Sequence, residues 1–418
     1  MIENVQHRFK KSGLIGKPFP AREIEGLVGE RVLRWYIGQV TEDEVVVEAT
    51  IYKQQPDSNL SQVSNQFYPG KSVVLNIVPT GIGCSVGGFA GDAAPATQLL
   101  AATADYLVTN PNAVNASDFI GLTDRNVIYA DGYSLDSFCR GLVNLHLPYS
   151  NRIGVIIERA DDWKLDVVFN IINTVRAVHG VNIANCVITE EPIGGRCIEN
   201  DSGAFVGTVD NPRVIFDSCE KLMKMGVDAI AITSSIQDLP LDRYASHFDG
   251  AYPNPVGGVE AVISYLVTSR YRVPSAHAPL INTRDIKLTN NIVDARGAGE
   301  FASTSGLACV LIGLRKAPQI NPQTGSRVSD IINVNNVFAI VVPASCLGGI
   351  PTLYAQSLGI PIIAVEENCT VLNVTQEKMG LKNVIQVRNY PEAAGTLLAL
   401  NKGISLQSIK RPLETYRY

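Results

Sequence analysis

The alternation of hydrophobic and polar positions predicts an α/β fold with mostly parallel sheets in two or three lobes. After residue 71, apolar strand-like runs alternate with helical patterns, as they do in parallel βα units. Strands are predicted at residues 72–78, 104–109, 153–158, 183–188, 228–233, 337–342 and 361–365. Helices are predicted at residues 93–103, 164–178, 212–225, 257–268, 297–314 and 350–358.

The first 70 residues have a different, more polar pattern. Strand-like segments at 32–37 and 45–52 flank a turn near Thr41, which predicts a small antiparallel β segment. Residues 71–180 are expected to form a first α/β lobe and 181–318 a second, before a loop at 316–330. Residues 331–418 form either a third lobe or a unit that completes the first, and the pattern leaves both options open.

Two distant strand ends share one sequence pattern. In each, an apolar run ends in a proline, followed by small residues, a cysteine and a glycine pair before a predicted helix. The cysteines are Cys84 and Cys346. Unpaired backbone N–H groups at a helix N-terminus can lower a thiol pKa and form an anion site. We therefore expect both cysteines at a functional site.

Glycine pairs recur at 87–88, 257–258 and 348–349, each before a predicted helix. Repeated units of this kind would place equivalent loops around one pocket at the strand C-termini. The alternative is that such turns select glycine because it tolerates positive φ. The expected ligand-binding residues are Gly83, Ser85, Gly87, Gly88, Asn112, Asn115, Thr233, Ser234, Gly257, Gly258, Arg296, Glu300, Ser345, Gly348, Gly349 and Asn373.

Arg296 and Glu300 belong to that set because they lie near the start of a predicted helix rich in alanine, serine and glycine. In this position they could clamp a carboxylate or orient a base. The alternative is a buried helix that carries a surface ion pair.

Composition narrows the classes of function. The 418 residues are 46% hydrophobic and 18% charged, with a net charge of −5, which argues against nucleic-acid and anionic-membrane partners. No signal-like start and no apolar run of about 20 residues is found, so we expect no membrane partner. Eight dispersed cysteines indicate reduced thiols and a cytoplasmic location. A homo-oligomer is compatible with such a chain, although no residue pattern requires one.

No cofactor and no metal is predicted. The glycines at 81, 83 and 87 approximate a dinucleotide fingerprint, but Pro95 interrupts the following helix and the next strand ends at Asn110 without an acidic residue. The five histidines lack HxxxH and HxH spacing, and no CxxC is present. Magnesium carried in by a phosphorylated substrate is left open.

The leading hypothesis is a cofactor-independent isomerase or racemase that acts on a small anionic metabolite, a carboxylate or a phosphate. Cys84 and Cys346 would be the acid–base pair. The alternative for these thiols is that they are buried and act as small hydrophobic side chains. The alternative function is a non-catalytic metabolite-binding or regulatory protein that uses the same helix N-termini. A second alternative is an amide or ester hydrolase with His277 as general base, although no Gly-x-Ser-x-Gly elbow is present.

Two resemblances to known families add to this interpretation. Residues 219–232 resemble the helix-Gly-x-Asp-strand unit of aspartate/glutamate racemases, but Thr233-Ser-Ser stands where that family has a cysteine. The segments PTGIGCSVGGFAGDAAP (79–95), NPNAVN (110–115), VLIGLRKAP (310–318) and PASCLGG (343–349) resemble a domain-of-unknown-function family of oxygenic phototrophs and some other bacteria. The second resemblance implies a cytoplasm-like location and no established activity.

Overall fold

Strands and helices alternate along most of the chain. The computed structural model describes residues 2–11, 21–29, 31–53, 70–110, 125–280, 292–303, 305–321 and 330–418. The strands are β1 (Ile2–Lys10), β2 (Val32–Val40), β3 (Glu44–Tyr52), β4 (Val73–Asn76), β5 (Tyr106–Thr109), β6 (Val127–Tyr129), β7 (Leu145–His146), β8 (Ile153–Ile157), β9 (Ile183–Ile188), β10 (Gly195–Glu199), β11 (Phe205–Val209), β12 (Ala229–Ser234), β13 (Ile236–Gln237), β14 (Ser275–Pro279), β15 (Ile331–Ile332), β16 (Val337–Pro343), β17 (Ile362–Val365) and β18 (Val384–Val387).

The helices of the described residues lie mainly between these strands. They are α1 (Ala21–Val28), α2 (Ala94–Ala101), α3 (Gly132–Cys139), α4 (Asp162–His179), α5 (Pro212–Lys224), α6 (Leu241–Phe248), α7 (Gly257–Tyr271), α8 (Ala298–Ala302), α9 (Leu307–Leu314), α10 (Ile350–Ser357), α11 (Gln376–Met379), α12 (Tyr390–Asn401) and α13 (Leu406–Ile409).

Two parallel sheets form the framework, which confirms the predicted α/β fold. One sheet has the order β18-β17-β16-β4-β5-β6 and the other β14-β12-β8-β9. Strands such as β4, β8 and β12 are buried along their whole length. A strand covered on both faces needs a continuous apolar run, and this is the pattern from which these strands were predicted.

The last part of the chain completes the first sheet. Strand β16 pairs in parallel with β4, and Ile340 lies opposite Leu75. Strands β17 and β18 continue the same sheet outward from β16. Residues 331–418 therefore add to the sheet begun by β4, which is the second of the two options left open by the sequence.

The N-terminal residues form the expected antiparallel sheet, with the order β1-β3-β2. Strand β1 was not among the predicted strands. The sheet is joined to the rest of the molecule by backbone contacts: the Ile37 N–H donates to the Gly348 carbonyl at 3.0 Å. The Asn4 amide also donates to the Gly207 carbonyl at 3.0 Å. Strand β2 is therefore held against the loop that follows β16.

The structure confirms the helix predicted at 93–103, which is α2, but differs from the expectations at two glycine-rich segments. The glycines at 87 and 88 do not themselves begin a helix, because Gly87 has a φ of 93° and α2 starts at Ala94. The single helix predicted at 297–314 is divided into α8 and α9, because Ser303 adopts an extended backbone with φ −74° and ψ 145°. Residues on both sides of this break, such as Glu300 in α8 and Cys309 in α9, line the cavity described below.

Candidate functional site

A cavity of about 280 Å³ lies at the carboxyl ends of strands from both parallel sheets. It is lined by Pro79 after β4, Tyr129 at the end of β6, His277 in β14 and Cys346 after β16. Residues 34–37 of β2 form another part of the wall. A pocket at the strand C-termini is what the repeated loops predicted, but the N-terminal sheet was not expected to contribute to it.

Helix α7 brings Glu260 to this cavity. The helix begins with two glycines, and a Cβ on Gly257 would stand 2.9 Å from the Gly81 nitrogen. A Cβ on Gly258 would overlap the Phe205 carbonyl. Only glycine permits this close approach, which fixes the first turn of α7 against β11 and the loop after β4. Glu260 follows in that same turn and lines the cavity.

The Glu260 carboxyl is poorly solvated. Its side chain is 20% exposed, and burial raises its pKa from 4.5 to about 8. Within the described part of the chain, no group donates a hydrogen bond to it at normal distance, and His277 Nδ1 lies 3.6 Å from its Oε1. The neutral form of Glu260 is therefore favoured near neutral pH.

Glu300, from α8, is a second carboxyl group in the same cavity. Its Oε2 accepts a hydrogen bond from the Ala90 N–H at 2.7 Å, and its Oε1 accepts one from the Asn254 amide at 3.3 Å. Burial raises the pKa of Glu300 to about 7, and the charge of Glu260 adds to the increase. The two hydrogen bonds stabilise the ionised form and oppose that effect.

His277 connects Glu260 to the central strand of the second sheet. Strand β14 pairs in parallel with β12, and His277 Nε2 lies 2.8 Å from Ser234 Oγ. Burial lowers the pKa of His277 to about 3, so the imidazole is neutral at physiological pH. The Nδ1 atom is buried without a hydrogen-bond partner among the described residues. Ser234 is fully buried in β12 and does not line the cavity.

The polar lining of the cavity also includes tyrosines and one arginine. Tyr265 donates a hydrogen bond to Asp136, whereas the buried Tyr129 hydroxyl has no partner in the described ranges. Burial raises the pKa of Asp136 to about 6, opposed by the charges of Arg140 and Arg34. Arg34 also lines the cavity and is therefore placed to compensate Asp136.

The two cysteines lie in different surroundings. Cys346 lines the cavity and its thiol donates to the Pro343 carbonyl at 3.6 Å. Cys84 is buried outside the lining and donates to the Pro79 carbonyl at 3.4 Å. Burial raises the pKa of both thiols. This direction is opposite to the one expected from helix N-termini, because α2 begins ten residues after Cys84 and desolvation dominates at both positions.

Backbone donors near Cys84 are already used by the protein. The N–H of Ser85 donates to the Cys369 carbonyl at 2.9 Å, and that of Val86 donates to the Asn368 side chain at 2.9 Å. Beside Cys346, the Leu347 N–H donates to the Val374 carbonyl at 2.8 Å. These groups are therefore not free to bind an anion.

The glycine pairs in these loops serve close packing. At Gly348, a Cβ would stand 2.6 Å from the Ile37 carbonyl oxygen. At Gly88, it would overlap the Cys84 carbonyl. The simpler explanation, that these turns select glycine for steric reasons, accounts for both positions.

The structure brings some of the predicted residues together and separates others. Arg296 pairs with Asp294 at 2.9 Å, as in the alternative of a surface ion pair, and Ser345 bonds Thr370 at 2.8 Å. Five predicted residues line the cavity: Gly257, His277, Glu300, Cys346 and Gly349. Those that lie outside the lining are Gly83, Cys84, Ser85, Gly87, Gly88, Thr233, Ser234, Gly258, Arg296, Ser345, Gly348 and Asn373. Asn112 and Asn115 lie outside the described residues.

Glu260 was not among the residues predicted from the sequence. It is the only acidic residue of α7, whose other residues near the start are apolar or small. A single carboxyl in such a helix is the signal that could have identified it, because a buried, unpaired charge is costly and is retained mainly for function.

Two observations bear on metal ions and membranes. Among the described residues, no group of three or more histidine, cysteine, aspartate or glutamate side chains is placed to hold a metal ion. The helices of the same residues include none with the length and apolar character needed to cross a bilayer.

The fold and the site define an α/β protein with a cavity lined in part by carboxyl and tyrosine side chains. The chain belongs to the family described as "Protein of unknown function (DUF3326)", which matches residues 72–410. This confirms the resemblance noted from the sequence motifs. Strands β1 to β3 precede the matched range, so part of the cavity wall lies outside the family match.

An uncharacterised lipoprotein from Synechococcus sp. is 34% identical over 330 residues, which cover 78% of this chain and 90% of the relative. The sequence led us to expect a cytoplasmic location. The name of this relative, a lipoprotein, contradicts that expectation. No solved structure matches the chain significantly.

Proposed function

We propose that this protein is a cofactor-independent enzyme that moves a proton within a small metabolite, an isomerase- or racemase-type reaction. The observation that carries the proposal is a pair of carboxyl groups, Glu260 and Glu300, that face one cavity with pKa values raised to about 8 and about 7. Groups that titrate near neutral pH are suited to give and take protons under physiological conditions.

The hydrogen bonds support different roles for the two carboxyls. Glu300 accepts from Ala90 and Asn254, which favours its ionised form and therefore the role of base. Glu260 has no such donors among the described residues, which favours the protonated form and the role of acid. In this scheme Glu300 removes a proton from substrate carbon and Glu260 delivers one to another position or to the other face. The substrate keeps its composition, and solvent exchange restores both groups.

His277 supports Glu260 as a positioning residue. If Ser234 Oγ donates to Nε2, the imidazole proton stays on Nδ1, which faces Glu260 Oε1 at 3.6 Å. A neutral N–H donor at this distance stabilises the carboxylate that forms when Glu260 gives up its proton. Because the donor carries no charge, it does not keep Glu260 permanently ionised. Because His277 is buried and neutral, it does not compete for the proton.

The carboxyl pair is better supported than the thiol pair expected from the sequence. Only Cys346 of the two thiols reaches the cavity, and burial keeps it protonated. A hydrolase is also less well supported: Ser234 contacts His277, but its hydroxyl lies behind the imidazole and outside the cavity lining. A substrate in the cavity would therefore meet a carboxyl before it met that serine.

The name of the Synechococcus relative favours attachment to a membrane surface for this protein too. Separation of cells of the source organism into membrane and soluble fractions, followed by immunoblotting, tests this proposal. Recovery of the protein in the soluble fraction alone contradicts it.

Hydrogen exchange tests the enzymatic proposal with no particular substrate assumed. The protein is incubated in D₂O with a mixture of small metabolites, and mass spectrometry identifies any compound that gains deuterium at carbon. We expect incorporation with the wild type, loss of at least about tenfold in rate with Glu300→Gln, and no change with Glu190→Gln, whose carboxyl is exposed outside the cavity. Equal incorporation with Glu300→Gln contradicts the proposal.

A further inference from the structure

We infer that the ligand of this cavity carries an ammonium group, bound between Glu260 and Glu300. The inference rests on the proposed function in taking the cavity as the substrate site. It specifies that the substrate is positively charged, whereas the sequence led us to expect an anionic metabolite.

Acidic side chains outnumber basic ones in the described lining of the cavity. In the described part of the chain, Arg34 is the only lysine or arginine that lines it. Its charge acts on Asp136, Glu48 and Tyr36, but it does not shift the pKa of Glu260 or Glu300. The pair of glutamates therefore has no cationic partner among these residues.

Two histidines lie beside the glutamates and do not supply a positive charge. His247 Nε2 lies 4.0 Å from Glu300, and His277 Nδ1 lies 3.6 Å from Glu260. Burial lowers the pKa of His247 to about 4 and that of His277 to about 3. Neither imidazole carries a positive charge at neutral pH. Among the described residues, the other titratable groups that interact with Glu260 are neutral or acidic: Tyr129 from β6, Cys197 from β10, Tyr244 from α6, Glu300 from α8 and Cys309 from α9.

A buried hydrogen-bond acceptor at the cavity is left without a partner. The Tyr129 hydroxyl is buried, lines the cavity and has no hydrogen-bond partner within the described ranges. The Glu260 carboxyl also lacks a donor there. An ammonium group has three N–H donors, which match two carboxyl oxygens and a tyrosine hydroxyl.

Cationic, anionic and neutral ligands are therefore expected to bind in this cavity with different affinities. A buried carboxylate is costly unless a cation or donor compensates it, so an ammonium group relieves the cost at Glu260 and Glu300 together. The rings of Tyr129 and Tyr244 add a favourable electrostatic environment for a cation. An anion would instead be buried beside the glutamates without a cation to compensate it, and an alcohol would leave the carboxyl pair without a counter-charge.

Calorimetric titration with three matched probes tests the inference. Benzylamine, benzyl alcohol and benzoate share one ring and differ in charge. Titrations at pH 6 in buffers of different ionisation enthalpy give the number of protons released on binding. At this pH both glutamates hold a proton, since their pKa values are raised to about 8 and about 7. Because an ammonium ion ionises the carboxyl beside it, we expect benzylamine to release close to one proton.

We also expect benzylamine to bind at least about tenfold more tightly than benzyl alcohol, and benzoate to bind most weakly. Glu260→Gln and Glu300→Gln should each reduce the proton release, whereas Glu190→Gln, outside the cavity, should not change it. Tighter binding of benzoate, binding of benzylamine without proton release, or no binding of benzylamine at about 20 mM each overturns the inference.

The two proposals fail in distinguishable ways. Binding of benzylamine with proton release, but no deuterium incorporation in any metabolite, supports an amine-binding protein and rejects the enzyme. Deuterium incorporation into a compound that has no amine supports the enzyme and rejects the ammonium ligand.

Discussion

Replacement of Glu260 by glutamine should stabilise the protein at high pH and have little effect at low pH. The change keeps the shape of the side chain and removes its ability to ionise. The carboxyl is 20% exposed, lacks donors among the described residues, and has a pKa raised from 4.5 to about 8. The folded state therefore holds this proton more tightly than the unfolded chain does, and ionisation costs stability.

The magnitude follows from the difference between the two pKa values. Each pH unit corresponds to about 1.4 kcal/mol per proton, so a difference of about 3.5 corresponds to about 5 kcal/mol. This cost is absent below pH 4.5, grows between pH 4.5 and pH 8, and is constant above pH 8. Glu260→Gln should therefore gain about 5 kcal/mol relative to the wild type at pH 9 and less than about 1 kcal/mol at pH 5.

Urea unfolding at pH 5, 7 and 9 measures this difference. Glu190→Gln is the matched control, because Glu190 is exposed and its replacement removes a charge without relieving burial. A gain for Glu260→Gln that is equal at pH 5 and pH 9, or a loss of stability at pH 9, refutes the assignment of Glu260 as a desolvated carboxyl.

Two further predictions concern other groups of the site. Ser234→Ala removes the hydroxyl that contacts His277 Nε2 at 2.8 Å, so the imidazole proton is no longer held on Nδ1. This variant should exchange deuterium more slowly, with a shifted pH profile of the exchange rate. An unchanged profile contradicts the positioning role of His277. Maleimide should label the exposed Cys369 of the native protein and spare Cys84 and Cys346, whose thiols are buried and have raised pKa values. Peptide mass spectrometry identifies the labelled cysteines. Rapid labelling of Cys346 would instead favour thiol chemistry.

The framework of the fold was predictable because its strands are buried on both faces. Strands β4, β8, β12, β16 and β17 are short apolar, β-branched runs, and such runs are typical of parallel sheets. Strand β14 was missed although it pairs with β12 along its length. Its sequence, Ser-Ala-His-Ala-Pro, has no strand-like hydrophobic pattern. It is buried because its neighbours cover it, and a local pattern does not record such a contact.

The site was less predictable, because its properties depend on contacts between distant segments. His277 and Glu300 were chosen for their residue types, and the structure places both at the cavity. The thiols were chosen for their position near predicted helix starts, yet their pKa values are set by burial. Burial of a given side chain is a tertiary property. Sequence position alone therefore led to the wrong direction for the pKa of Cys84 and Cys346.

The glycine pairs connect the packing of the molecule with its chemistry. Glycine at 257 and 258 allows α7 to start in contact with the loop after β4 and with β11, where a Cβ would collide with backbone. Because the first turn of the helix is held there, Glu260 is directed into the cavity and kept from bulk water. The same steric feature that first indicated an anion site thus produces a desolvated carboxyl. A cavity built in this way gives a bound anion little counter-charge, so we expect it to favour a ligand that brings a positive charge.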